Sequence, residues 1–367
     1  MDLVAQLQGQ CLSGRAGLPE TEALSGRIVL DSAVTLPNGR VNRDSFFLDV
    51  ATCAATRINQ MNEGGFDYAV SPDRTLLAYR NLLYDALDNI VGEELVIKDF
   101  NGELLLSLPW ETDWLRLVDW LDNERVVINP YKQQENLAKM YSTLTVLTPF
   151  TRARQILSPD FAKMYEYSPF PDWDGWGVTM YDPTLTRVVY LSDYSEYAYV
   201  LWDIENSTRL ASLQAIGLFT PRWSPDGSAF VIEAYNPDQF ALELFLVNRD
   251  GAVQQLTNLY GEEDTILTNY SWSPNSLKIA AWMISGANDN KQAQLVVIDT
   301  TTKSIEVKDV FFHSQPEPPF GPIWSPNGKY LIVFDSGNEQ VFLFDLAQNL
   351  AIPLAENMEP VGWMLAP

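Results

Sequence analysis

The chain has 367 residues, with 24 Lys and Arg against 48 Asp and Glu, for a formal net charge of −24 and a pI near 4.3. That balance argues against nucleic-acid and anionic-membrane partners, which are held by clustered Lys and Arg. Hydrophobic content of 46% is ample for a buried core, yet no run of about 18 apolar residues is present to predict a membrane-spanning helix.

Residues 1–25 are polar, contain Gly and Ser, and read as a tail with little regular structure. Residues 1–26 lack the charged and apolar regions of a signal peptide. Cys11 and Cys53 have no metal-ligand spacing, and read either as two thiols or as one disulfide. From Arg27 onward the pattern is one of short strands and tight turns. An apolar strand ends at Asp49, Asp99, Thr148, Asp203, Asn248, Asp299 and Asp345, at spacings of 50, 49, 55, 45, 51 and 46 residues. Each unit has an earlier apolar strand, at 27–30, 76–79, 125–128, 187–190, 229–232, 278–281 and 330–333.

Ahead of these lies a strand that ends at Val70, Trp120, Tyr181, Trp223, Trp272 or Trp324. Its turn is clearest in Trp223-Ser224-Pro225-Asp226-Gly227, Trp272-Ser273-Pro274-Asn275-Ser276 and Trp324-Ser325-Pro326-Asn327-Gly328. Pro presets the first central turn position, Asp or Asn accepts local backbone hydrogen bonds, and Gly takes the left-handed position. The first unit lacks such a strand, and Glu359-Pro360-Val361-Gly362-Trp363 imitates one with no unit after it. The inference is an all-β, seven-bladed β-propeller over residues 26–367, closed by the C-terminal strand completing the first blade. Six blades is the alternative, should the units at Trp120 and Tyr181 be misjudged.

The Trp-Ser-Pro-Asp/Asn-Gly turns, each followed by an apolar strand, resemble the TolB-type (WD-like) propeller repeat over roughly residues 27–367, most strongly over 220–350. Blades three and four depart from it, with Leu121-Asp122-Asn123 and Asp182-Pro183-Thr184 in place of the usual turn. The resemblance implies an extracytoplasmic setting, periplasmic or cell-surface, and a protein-binding role. It supplies no residues that carry chemistry. A cytoplasmic setting is the alternative.

In such a ring the turns between first and second strands and between third and fourth strands share one rim, and they are short here. The opposite rim carries the long connections, where function usually sits. Three of these interleave acids with aromatics: Trp110, Glu111, Asp113; Trp173, Asp174, Trp176; and Glu262, Glu263, Asp264. That mixture suits a basic protein or peptide partner bound by a monomer. The competing reading is that these aromatics only pack the loops against the ring. Asp113, Asp172, Asp174 and Glu262 to Asp264 offer oxygens of the kind Ca²⁺ takes, but none follows the spacing of a calcium loop, so no cofactor is expected. The single histidine, His313, and the lack of a Gly-x-Ser-x-Gly elbow leave nucleophilic catalysis little to stand on. The expected function is therefore non-catalytic partner binding. Its rivals are a metal-dependent hydrolase or lactonase with carboxylates at the central channel, and a carbohydrate-binding propeller.

Overall fold

The computed structural model describes residues 2–14, 24–35, 41–59, 64–85, 89–110, 114–131, 144–157, 180–191, 197–215, 221–259, 265–286, 292–313 and 321–367. These residues build seven four-stranded antiparallel sheets. Blade two is representative, with strands Gly64–Val70, Leu76–Tyr84, Ile90–Asp99 and Leu104–Trp110. The first strands of neighbouring blades touch one another from blade six through blades seven, one and two to blade three, so they line the inner side of the ring there.

The repeat period is written into the strand register. The start of each second strand lies opposite the end of the third: Arg27↔Asp49, Leu76↔Asp99, Arg187↔Asp203, Ala229↔Asn248, Lys278↔Asp299 and Tyr330↔Asp345. Blade three enters the ladder one step later, at Val126↔Leu147. The units at Trp120 and Tyr181 each complete a four-stranded sheet, so the count is seven and not six.

The turn motif acts through its serine and its tryptophan. Ser71, Ser224, Ser273 and Ser325 each donate a hydroxyl to the Asp or Asn two residues on, at 2.6–2.8 Å. Each also accepts the N–H five residues on, at 2.8–3.2 Å. The next position is left-handed in all four turns, at Arg74, Gly227, Ser276 and Gly328. The indole N–H of Trp120 donates to the Ala69 carbonyl, that of Trp223 to Met180, that of Trp272 to Arg222 and that of Trp324 to Ser271. Every acceptor lies on the first strand of the preceding blade. One residue type thus ends a strand, fills the seam and satisfies a carbonyl there.

The ring closes as the sequence indicated. The C-terminal strand Glu359–Met364 pairs with Arg27–Thr35, with Arg27↔Met364 and Ile28↔Trp363, and completes blade one.

The N-terminal segment differs from expectation. Residues Leu3–Gly14 form a helix, α1, and not an irregular tail. Leu7 and Cys11, four residues apart and so on one helix face, are fully buried in a cluster with Cys53, Ile352 and Leu354. The helix lies along the outer strands of blades seven and one. Its end approaches so closely that a Cβ on Gly14 would stand 2.3 Å from the Pro353 carbonyl oxygen. Short helices are marginal alone, and this one forms because the ring offers it an apolar seat. Cys11 and Cys53 are disulfide-bonded, with Cα atoms 5.6 Å apart. A link across 42 residues contributes about 4 kcal/mol in the chain-entropy account.

Candidate functional site

Both the connections between second and third strands and those between blades open on one rim, opposite the turns just described. Of the rim residues named from the sequence, Trp110 is described. Glu111, Asp113, Trp173, Asp174, Trp176, Glu262, Glu263 and Asp264 lie outside the described residues. Trp110 ends the outer strand of blade two, half-buried, and the Arg154 guanidinium of blade three stacks over its ring at 4.2 Å. For this tryptophan, packing between blades two and three is the observed role. His313 is the last residue of the strand Ile305–His313, paired with Gln292, and not a loop residue. Among the described residues no group of three or more His, Cys, Asp or Glu is gathered to hold a metal.

Just below this rim the structure places two related polar seams that the sequence reading passed over. The first lies between blades one and two. Asp31, fifth residue of its strand and 2% exposed, accepts from Arg43 at 2.5 Å and from the Ser45 hydroxyl at 3.2 Å. The Tyr68 hydroxyl, from the first strand of blade two, reaches Asp31 at 3.4 Å and bonds Ser45 as well. Glu359 stands 3.5 Å from Arg43 on its other side. Burial raises the Asp31 carboxyl, and the arginine offsets part of that rise. Burial also opposes the charge on Arg43, but the Asp31 carboxylate outweighs it and holds the guanidinium charged. On the next residue along, Asp44 pairs with Arg57.

The second seam, between blades five and six, is built on the same plan. Glu233 is again the fifth residue of a second strand, in Ala229–Asn236. Glu243 stands where blade one has Asp44, since Ala234↔Glu243 matches Ser32↔Asp44. Tyr270 stands where blade two has Tyr68. Both tyrosines follow a left-handed residue at a strand bulge, Asp67 and Asn269, each with φ of 51°.

The cations, however, are missing. By register, Leu242 replaces Arg43 and Gln255 replaces Arg57. Glu233 is 0% exposed, and its Oε1 accepts the Leu267 N–H at 3.3 Å while Oε2 has no hydrogen-bond partner among the described residues. Burial, with the neighbouring Glu243 carboxylate adding to it, pushes Glu233 up to about 8. Glu243, also 0% exposed, is held by neutral donors: the Thr257 hydroxyl at 2.5 Å and the Leu259 N–H at 2.7 Å. Burial raises Tyr270 beyond the ordinary tyrosine range, and the Glu233 charge adds to the rise. Arg222, on the first strand of blade five, acts on Tyr270 and on Asp119 of blade three. An acid after four residues of a second strand was legible in Arg27-Ile28-Val29-Leu30-Asp31 and Ala229-Phe230-Val231-Ile232-Glu233. Without register, neither could be placed beside a tyrosine of the next blade.

Comparison with solved structures finds propellers of several kinds. A proposed 6-phosphogluconolactonase from Bacteroides fragilis aligns over 95% of this chain and all of its own, at 13% identity and a TM-score of 0.54. A periplasmic gluconolactonase from Pseudomonas aeruginosa aligns over 92% of this chain and 99% of its own, at 13% identity and a TM-score of 0.51. TolB from Acinetobacter baumannii aligns over 93% of this chain and 83% of its own, at 14% identity and a TM-score of 0.47. The likeness is one of fold. A seven-bladed ring with Trp-Ser-Pro-Asp/Asn turns is consistent with a TolB-like propeller. No family model matches the chain, and no curated protein matches it.

Proposed function

We propose that this protein is a non-catalytic propeller scaffold that binds a basic protein or peptide through its long-loop rim. One observation supports the reading. In the ring order, the described strand ends at Trp110 and Trp114, Ile156 and Met180, and Gln255 and Ile266 lie on one rim, and the acidic and aromatic sequences proposed to bind the partner run between them. A closed ring holds such segments on a rigid frame, which lowers the ordering cost of binding. The net charge of −24 favours a cationic partner and speeds its encounter. The Cys11–Cys53 bond supports work in an oxidising, extracytoplasmic compartment. No described helix is long and apolar enough to cross a membrane.

The test is binding of fluorescent Arg- and Trp-containing basic peptides, with charge-inverted acidic peptides as controls. Reversing Glu262, Glu263 and Asp264 together to Lys is expected to weaken the basic peptides roughly tenfold or more, mainly through slower association, and added salt is expected to mimic the change. Preference for the acidic set, or indifference to salt, defeats the reading.

A further inference from the structure

We propose that the seam between blades five and six is a receptor for one guanidinium group, supplied by an arginine of the partner, with Glu233 as its principal acceptor. The inference rests on the partner-binding reading and specifies what that partner must offer.

The argument begins with the repeat itself. At the seam of blades one and two, the second-strand acid Asp31 is met by Arg43 and by Tyr68 of the next blade, and the third-strand acid Asp44 by a separate arginine, Arg57. At the seam of blades five and six the two acids and the tyrosine are present, and Leu242 occupies the arginine position. The backbone register is the same, so the occupied seam shows which side chains a guanidinium at this seam would face.

Two further observations point to a ligand and not to a spare acid. Glu233 is fully buried, yet among the described residues its Oε2 has no hydrogen-bond partner, an arrangement that costs free energy unless something else uses it. Among the described residues, the groups acting on it are the Leu267 N–H and the Glu243 carboxylate, and no cation is among them.

Guanidinium fits better than a bare metal ion. Among the described residues the site supplies two carboxylates and no third ligating His, Cys, Asp or Glu, whereas a planar fork of N–H donors is matched by carboxylate oxygens. The charged and titratable groups around the site are Glu243 on the third strand, Tyr270 on the first strand of blade six, and Arg222 and Tyr199, both of which act on Tyr270. Binding is proton-linked. Glu233 enters as the acid, its O–H bond breaks, the proton leaves to solvent, and the carboxylate pairs with the incoming cation.

The experiment uses the full chain with ¹³C-labelled glutamate carboxyls, the Glu233 resonance being identified by its loss in Glu233→Gln. At pH 7 that resonance is expected at the protonated position. Ethylguanidinium is expected to move it to the ionised position, while tetramethylammonium, with equal charge and no N–H donor, leaves it unmoved. Leu242→Arg, which transplants the blade-one arginine, is expected to show Glu233 ionised without any probe and to abolish the response. A wild-type resonance that ignores ethylguanidinium, answers both cations alike, or is already ionised without probe overturns the proposal. Should Leu242→Arg fail to fold, the two wild-type arms still decide. Salt-sensitive peptide binding without a Glu233 response sinks this inference alone. A Glu233 response without peptide binding sinks the rim reading and leaves a small-cation site.

Discussion

The seams of blades one and two and of blades five and six share a backbone plan and differ in how they neutralise a buried acid. At the first, Asp31 has Arg43, Ser45 and Tyr68 around it, and the negative charge is met inside the fold. At the second, Glu233 has one backbone N–H and a second carboxylate nearby, and its own proton is the means of neutrality. A buried carboxyl must be paired or protonated, and one ring uses both solutions. The difference teaches that repetition fixes geometry while leaving the charge state of each seam to a single side chain, here Arg43 or Leu242. The protonated solution is the one that leaves an acceptor vacant.

The comparison can be broken most severely by removing residues 358–367. That deletion takes away the first strand of blade one, with Glu359 and the Trp363 indole that donates to the Ser25 carbonyl. An open sheet edge and an exposed seam replace a closed ring. Cooperative thermal unfolding is expected to be lost around blade one, while the seam of blades five and six retains its inner contacts. An unchanged melting curve would falsify the closed-ring account.

Arg43→Leu is a milder blow and converts the first seam into a copy of the second. It strands Asp31 without its cation, so a loss of about 3 kcal/mol is expected, at the lower end for a broken buried pair because Arg43 is partly exposed. Urea denaturation at pH 7 measures it. Restoration of most of the loss by the second change Asp31→Asn would show that the stranded charge, and not the lost packing, is responsible.

A third test sharpens the contrast through pH, its effect small within any one pH unit. Glu233 is raised in the fold from an ordinary 4.5 to about 8. Below 4.5 it is protonated in both folded and unfolded chains, and the folded state keeps its full advantage. Between 4.5 and 8 the unfolded chain releases this proton while the fold retains it, so stability falls as pH rises, by on the order of 1 kcal/mol per pH unit. Glu233→Gln should flatten that slope, melting above wild type at pH 8 and alike near pH 4. Parallel pH profiles would show that Glu233 is not buried as an acid.

Part of this was plain in the amino-acid order. Seven strand ends at near-equal spacings, the Ser-Pro-Asp/Asn turns and the Trp363 echo at the C-terminus are local signals, because strand ends and turns are set by residues adjacent in the chain. They determined the propeller, its blade count and its closure. The Cys11–Cys53 bond stood open between two readings, and the structure joins the two residues. Helix α1 was not legible, since Leu7 and Cys11 are too few apolar residues to mark a helix until Ile352 and Leu354 are known to face them. The rim acids and aromatics were legible as composition. The Glu233 seam is wholly a product of tertiary structure. Its meaning depends on which residues oppose it in register and which blade lies next to it, on Leu242 standing where Arg43 stands, and on Tyr270 arriving from a strand 37 residues further along the sequence. A charge is costly or useful according to what surrounds it in space, and that neighbourhood exists only once the ring has closed.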